Sequence, residues 1–225
     1  MLIGARSGML SGGWKNPYIT DGLVAMWDVE WNIGGASTLK DLVGSNDIML
    51  YGTTVGPNYI QFDGIDDYAT FASSSSFNYG KNITLEFVEL DNTFGNKIFL
   101  AANQVAFNVI NTGNRVSLAT RNNSENQIQY RLTTFTKVPH LFSIYYDQDN
   151  LAVSLKEDNL ELDTTTYGSY TAHNKGPMLG CRQYNSTRAY FFDGRMYTMR
   201  IYNRQLLSSE REHNYSIDKV RFNLP

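Results

Sequence analysis

Residues 60–71, IQFDGIDDYATF, form the stretch that decides the fold. Apolar residues alternate with polar ones on both sides of Asp63 and Gly64. An Asp-Gly pair is a strong signal for a tight turn, because glycine adopts positive φ angles at no steric cost. The stretch is therefore predicted to form a β-hairpin.

The same alternation recurs at short intervals along the chain. It predicts strands at 23–29, 83–87, 97–101, 105–110, 116–120, 128–132, 142–146, 151–155 and 196–202. The 225 residues include 15 tyrosines, 12 phenylalanines and 18 glycines, and only 18% are charged. Evenly spaced short strands in a chain of this length favour one antiparallel β-sandwich.

Three stretches resemble the laminin-G-like domains of the concanavalin A-like jelly-roll and pentraxin-like superfamily. They are GLVAMW at 22–27, FDGIDDY at 62–68, and FDGRMYTMRIYNRQLLSSERE at 192–212, which is similar to the closing strand of that family. The resemblance implies an all-β jelly roll over residues 21–225. A capping box of Ser209 and Glu212 predicts one short helix at 210–215.

Residues 1–20 precede the predicted jelly roll and have a different character. Leucine, methionine and tryptophan are scattered among glycines without alternation. Because such a segment cannot bury its apolar side chains alone, we expect an arm that docks on a neighbouring subunit or a virion protein. The chain is accordingly expected to form a homo-oligomer.

Several classes of function are disfavoured by composition. The formal net charge of −3 argues against nucleic-acid binding as the main role, and the basic residues of the last forty positions are expected to form a solvated or interface surface. No apolar run is long enough to span a membrane, and residues 1–16 lack the pattern of a secretory signal. Cys181, the single cysteine, is expected to be a buried, unreactive thiol.

Enzymatic activity is not expected. Concanavalin A-like glycosidases use a Glu-x-Asp-x-x-Glu strand, and the nearest match here is Glu86, Glu89 and Asp91. The strand period of two places Glu86 on the face opposite Glu89 and Asp91, so these carboxylates cannot act on one bond. His140, His173 and His213 are far apart in the sequence and show no metal-ligand spacing.

No cofactor is expected, with Ca²⁺ as the one cation left open. Asp66 and Asp67 are the candidate ligands, although adjacent residues of a strand point to opposite faces. The favoured alternative is that Asp66 caps the turn and Asp67 is solvated.

Glycan binding requires exposed aromatic rings together with amide, carboxylate or guanidinium groups. Loops predicted to gather at one end of the sandwich supply such candidates: Trp31, Tyr167, Tyr170, His173, Tyr184, Asn185 and Arg188. The alternative is that these aromatic residues cover loop cores or subunit contacts.

Together these patterns predict a non-catalytic binding or structural jelly-roll module. The expected context is a phage virion, as a capsid-decoration or fibre protein assembled in the host cytoplasm, with possible glycan or host-surface recognition. The alternative is a glycan-binding adhesin domain of a bacterial cell-surface protein.

Overall fold

The structure, a computed structural model, describes most of the chain. The described residues are 16–32, 35, 37–72, 82–93, 97–102, 107–111, 115–121, 125–131, 137–147, 149–150, 152–166, 177–184 and 187–225.

Within this part of the chain the secondary structure is almost entirely strand, with one helix near the end. In chain order the elements are β1 (Leu23–Asp28), β2 (Thr38–Leu39), β3 (Ile48–Tyr51), β4 (Thr54–Val55), β5 (Ile60–Asp63), β6 (Tyr68–Phe71), β7 (Asn82–Asp91), β8 (Lys97–Ala102), β9 (Phe107–Asn111), β10 (Arg115–Arg121), β11 (Glu125–Arg131), β12 (His140–Asp147), β13 (Ala152–Glu157), β14 (Leu160–Thr166), β15 (Met178–Leu179), β16 (Arg182–Tyr184), β17 (Thr187–Ala189), β18 (Asp193–Tyr202) and α1 (Ser208–Phe222).

The described strands form two eight-stranded antiparallel sheets and one two-stranded hairpin, β16–β17. The first sheet has the order β14-β13-β12-β7-β18-β5-β4, with β1 also paired to β18. The second sheet has the order β11-β10-β9-β8-β15-β6-β3-β2. The predicted all-β, antiparallel sandwich with one C-terminal helix is confirmed.

The predicted hairpin at 60–71 is wrong in its pairing. Strand β5 pairs with β4 and β18 of the first sheet, whereas β6 pairs with β3 and β15 of the second. The turn itself exists, and Gly64 has a φ of 76° as expected. The stretch therefore carries the chain from one sheet to the other, because each strand buries its apolar residues against a different set of neighbours.

The main core lies between the two sheets and is rich in aromatic rings. Trp27 of the first sheet contacts Phe71 of the second edge-on, with ring centroids 5.2 Å apart. Phe87 likewise stacks on Phe99 across the core at 4.6 Å. The Trp27 indole also donates to the Asn46 carbonyl at 2.8 Å, which ties the loop before β3 to the first sheet.

Helix α1 is longer than predicted and begins earlier. It runs from Ser208 to Phe222, and the residue at its N-cap position is Leu207. The Glu210 carboxylate accepts from the Leu207 backbone N–H at 2.8 Å, so Glu210, and not the predicted Glu212, has the reciprocal role at the N-terminus. The helix extends beyond residue 215 because Asp218 and Phe222 on its buried side also contact the first sheet.

A buried charged network attaches α1 to the outer face of the first sheet. Arg200 of β18 is fully buried, and it donates to Glu86 of β7 at 3.2 Å and to Asp218 of the helix at 3.1 Å. Asn214 donates to Glu86 at 2.8 Å and to the Tyr202 hydroxyl at 3.0 Å. The expectation that the basic C-terminal residues form a solvated or interface surface is therefore wrong for Arg200.

The last five residues of the predicted arm pack against this network. Tyr18 is buried, its hydroxyl donates to Asp218 at 2.5 Å, and Arg221 donates to the same hydroxyl at 2.6 Å. Ile19 N–H donates to Asn214 at 3.1 Å. Residues 1–15 lie outside the described part of the chain, so the role of those residues as an arm stays a prediction. No helix among the described residues has the length and apolar character needed to cross a membrane.

Candidate functional site

The glycan-binding candidates predicted from the sequence are loop residues, and the structure describes few of them. Tyr167, Tyr170, His173 and Asn185 lie outside the described residues, as does the Tyr184 side chain at the end of β16. Arg188 is described and exposed on β17, where it pairs with Gln183.

Arg188 belongs to a surface group that sequence reasoning did not identify. Tyr51 of β3 and Tyr68 of β6 face each other directly across neighbouring strands, and their rings stack with centroids 4.6 Å apart at an angle of 9°. The Arg188 guanidinium lies 3.9 Å from the centroid of the Tyr68 ring. We name Tyr51, Tyr68 and Arg188 the tyrosine–arginine platform.

The alternation of β3 explains why the platform is exposed. Ile48 and Leu50 point into the core, whereas Met49 and Tyr51 point outward and are 38% and 42% exposed. Tyr68 alternates in the same way with the buried Ala69, so both tyrosines lie on the outer face of the second sheet. The sequence signal for this pair is a tyrosine at an outward-facing position of each of two strands.

The chemistry of the platform suits a flat, polar ligand. Aromatic faces offer a stacking surface, and each tyrosine adds a hydroxyl that donates and accepts hydrogen bonds. The guanidinium carries a fork of N–H donors that matches a carboxylate. Among the described residues Arg188 makes a ring contact with Tyr68, and its side chain is exposed.

Trp31, the remaining candidate, lies elsewhere. Its half-buried ring is 4.0 Å from the Arg221 guanidinium and 6.0 Å from the Tyr18 ring. These contacts make it part of the attachment of α1 and residues 16–20 to the first sheet.

The two calcium candidates do come together, contrary to the expectation that they point apart. Oxygens of Asp63, Asp66 and Asp67 lie within 4.8 Å of one another. The alternation of side chains between the two faces of a strand does not apply here, because β5 ends at Asp63 and residues 64–66 form a turn. Binding of Ca²⁺ at this turn stays a prediction.

Hydrogen bonds of these aspartates stabilise the turn. Asp63, and not Asp66, caps it: its carboxylate accepts from the backbone N–H of Ile65 at 2.8 Å and of Asp66 at 3.3 Å. Burial raises the pKa of Asp63, but the backbone donors outweigh it, so that pKa is lowered overall. Asp67 is buried, not solvated, and it accepts from the Asp63 N–H at 2.9 Å. Burial and the neighbouring carboxylates raise the pKa of Asp67.

The carboxylates examined for glycoside hydrolysis are divided between two faces, as predicted. Glu86 lies fully buried under α1, whereas Glu89 lies on the inner face of the first sheet and is 3% exposed. Cys181 is buried as expected, and burial raises its thiol pKa to about 11. Its thiolate is therefore scarce at neutral pH.

No protein-family model matches the sequence, and no curated protein is significantly similar to it. Solved structures do share the fold. The chain superposes on the binding domain of botulinum neurotoxin DC in complex with SialylT at a TM-score of 0.69 and 10% identity, covering 88% of this chain and 52% of that one. It superposes on Trypanosoma rangeli sialidase in complex with 2,3-difluorosialic acid at a TM-score of 0.70 and 16% identity, covering 93% of this chain and 35% of that one.

A further similar structure is the botulinum neurotoxin DC binding domain in complex with rat synaptotagmin II, with a TM-score of 0.66 and 12% identity. The chain spans about half of each toxin chain and about a third of the sialidase chain. At these identities the comparisons establish a β-sandwich fold. The narrower laminin-G-like assignment stays a prediction from the sequence motifs.

Proposed function

We propose that this chain is a non-catalytic binding module that recognises a glycan through the tyrosine–arginine platform. The observation on which the proposal depends is the stack of the exposed Tyr51 on the half-buried Tyr68, with the Arg188 guanidinium over the Tyr68 ring. The stack is prearranged by the strand pairing, so little side-chain entropy is lost when a sugar ring packs against it. Two of the similar structures contain a toxin binding domain with SialylT and a sialidase with a sialic acid derivative, which supports this class of ligand.

Arg188 narrows the proposed ligand to an acidic glycan. Its guanidinium is exposed and held in place by the Tyr68 ring, so it can pair with a sugar carboxylate while the sugar ring contacts tyrosine. Formation of that pair at a surface is weakened by salt. Binding should therefore decrease as ionic strength rises.

A glycan array, followed by titration of the best ligand, tests the proposal. We expect Tyr51→Ala to weaken binding about tenfold, comparable to the loss of an aromatic anchor of about 1.4 kcal/mol. Arg188→Gln should weaken binding to acidic glycans and reduce its salt dependence. Tyr184→Ala tests a glycan-binding candidate that was predicted from the sequence. It should also weaken binding if the loop after β16 borders the platform.

Arg195 offers a matched control, because its guanidinium lies 4.2 Å from the Tyr59 ring on a different surface. Arg195→Gln removes the same charge and a similar ring contact, and it should leave glycan affinity unchanged. An array without ligands for the wild-type protein, or equal losses in Arg188→Gln and Arg195→Gln, would contradict the proposal.

The absence of catalysis is part of the proposal. A glycosidase requires two carboxyl groups that reach one glycosidic bond, but Glu86 is under the helix and Glu89 is 3% exposed. We expect no release of reducing ends from β-glucans or agar-type polymers and no cleavage of sialosides. Hydrolysis by pure protein that Glu89→Gln abolishes would overturn this part.

We further propose that the module functions in a phage virion, as a capsid-decoration or fibre protein, with residues 1–15 as its attachment to virion proteins or to its own subunits. The apolar composition of these residues supports the attachment role. The alternative is an adhesin on a bacterial surface, which predicts glycan binding by a monomer and an exported parent chain. Electron microscopy of native particles with antibody labelling distinguishes the two contexts.

A further inference from the structure

A cluster of ionisable side chains lies at one end of the inner face of the first sheet, away from the outward-facing platform. His140 of β12 lies directly opposite Glu89 of β7, and Glu157 of β13 lies opposite the core residue Phe142. Residues that face each other in an antiparallel pair share a face of the sheet. Three neighbouring strands therefore bring Glu89, His140 and Glu157 to the same side.

Two carboxylates converge on one nitrogen of the histidine. His140 Nδ1 lies 2.5 Å from Asp158 Oδ2 and 3.3 Å from Glu157 Oε1. One potential ligand atom from each of the three residues lies within 4.8 Å of the other two. The Asp158 carboxylate is oriented by the Leu141 N–H, which donates to its other oxygen at 2.9 Å. The three side chains are 16%, 15% and 10% exposed, so the cluster is shielded yet open to a small ion.

The buried carboxyl group of Glu89 lies next to this cluster with one oxygen unpaired among the described residues. Glu89 is 3% exposed, and its buried Oε2 has no hydrogen-bond partner in the described part of the chain. Leaving a buried acceptor unpaired is costly, and a cation at this position would offset that cost.

We propose that His140, Glu157 and Asp158 bind a first-row transition-metal ion, with Zn²⁺ the best match, and that Glu89 lies behind it as a third carboxyl group. An imidazole nitrogen with carboxylate oxygens is a ligand set typical of such ions. Ca²⁺ favours six to eight oxygen ligands, so a histidine at the centre argues against it. The ion would connect the start of β12 with the end of β13 and the turn that follows it, and it would stabilise this end of the sandwich.

Metal titration of the full-length protein tests the site. The protein is dialysed against a chelator and then into chelator-free buffer, and Zn²⁺ binding is measured by calorimetry and by the shift in melting temperature. We expect one equivalent to bind to the site and to raise the melting temperature. His140→Gln and Asp158→Asn should each weaken this binding at least tenfold. Asn suits position 158 because it tolerates the observed φ of 47°.

Two further variants separate the roles within the cluster. Glu89→Gln keeps the shape of the side chain but removes its ionisable carboxyl group. It should weaken Zn²⁺ binding by a smaller factor than His140→Gln or Asp158→Asn. His213→Gln is the matched control: this exposed helix histidine contacts the Pro17 carbonyl at 2.8 Å, and its loss should leave binding at the cluster unchanged. Substitution with Co²⁺ should give visible absorption bands that are absent in His140→Gln. Failure of the wild-type protein to bind one equivalent, or equal affinity in wild type, His140→Gln and Asp158→Asn, would overturn the proposal.

Discussion

Arg200 lies at the centre of the contact between the first sheet and α1, with no exposed surface. Its partners are carboxylates from two different elements, Glu86 and Asp218, and its guanidinium also lies 4.0 Å from the Tyr18 ring. A buried charge of this kind is tolerated only while its partners are present. The charge pattern of the sequence did not reveal it, because a run of arginines does not show which one points inward.

Arg200→Met should lower the free energy of unfolding by about 3–5 kcal/mol, because Glu86 and Asp218 would remain buried without their cation. Urea denaturation measures the loss. The control is Lys40→Met, which removes a pair with Asp47 in which the lysine is 43% exposed, and it should cost no more than about 1 kcal/mol. Equal losses in the two variants would mean that the buried network does not stabilise the helix attachment.

Helix α1 has an unusual N-terminus. Leucine at the N-cap position offers no side-chain acceptor, so Glu210 does the capping by accepting from the Leu207 N–H. Arg204 holds this carboxylate in a fork, with both guanidinium contacts at 2.7 Å. The hydrogen bonds from Arg204 lower the pKa of Glu210, although burial opposes them.

Glu210→Gln should therefore destabilise the protein by about 1 kcal/mol at pH 7. Because the folded-state pKa is lowered, the carboxylate contributes its full stabilisation above the unfolded pKa of about 4.3. That contribution is lost as the pH falls through the lower folded value, so wild type and variant should converge in acid. Thermal unfolding at pH 7 and pH 3 measures both effects.

The exposed Glu212 on the same helix is the matched control, and Glu212→Gln should change stability little at either pH. A loss in Glu212→Gln as large as that in Glu210→Gln would favour the capping box predicted from the sequence.

Local patterns in the sequence placed six of the nine strands predicted outside the 60–71 hairpin within two residues of their observed bounds. Predicted strands at 97–101 and 116–120 correspond to Lys97–Ala102 and Arg115–Arg121. The His140 cluster could also have been found. Counting outward from the predicted turn at 147–150 places Glu157 opposite His140, whereas the observed register is shifted by two residues and pairs Glu157 with Phe142. Either register brings Glu157 to the end of the hairpin where His140 lies.

Sequence patterns indicate a sandwich, but they do not show which strands share a sheet. Alternation shows that a strand has one buried face, and both sheets of a sandwich bury a face in the same core. Strands β5 and β6 therefore looked like partners although they lie in opposite sheets. The tyrosine–arginine platform was missed for the same reason, since Tyr51 and Tyr68 become neighbours only through the pairing of β3 with β6.

The contacts of residues 16–20 define the boundary between the folded domain and any attachment arm. The sequence predicted an arm over residues 1–20, but Tyr18 is buried and hydrogen-bonded to Asp218 and Arg221. His213 also contacts the Pro17 carbonyl at 2.8 Å. Residues 16–20 are therefore part of the folded unit that includes α1.

Two deletions separate attachment from folding. Removal of residues 1–20 should lower the melting temperature, because the polar groups of Asp218 and Arg221 lose their buried partner. Removal of residues 1–15 should leave the melting temperature nearly unchanged, since Tyr18 and its contacts are retained, while it abolishes oligomer formation or particle attachment. Calorimetry and light scattering on both proteins provide the two measurements. If the shorter deletion also unfolds the domain, residues 1–15 are a structural part of the sandwich and not an arm; if it folds and assembles normally, the attachment lies on another surface.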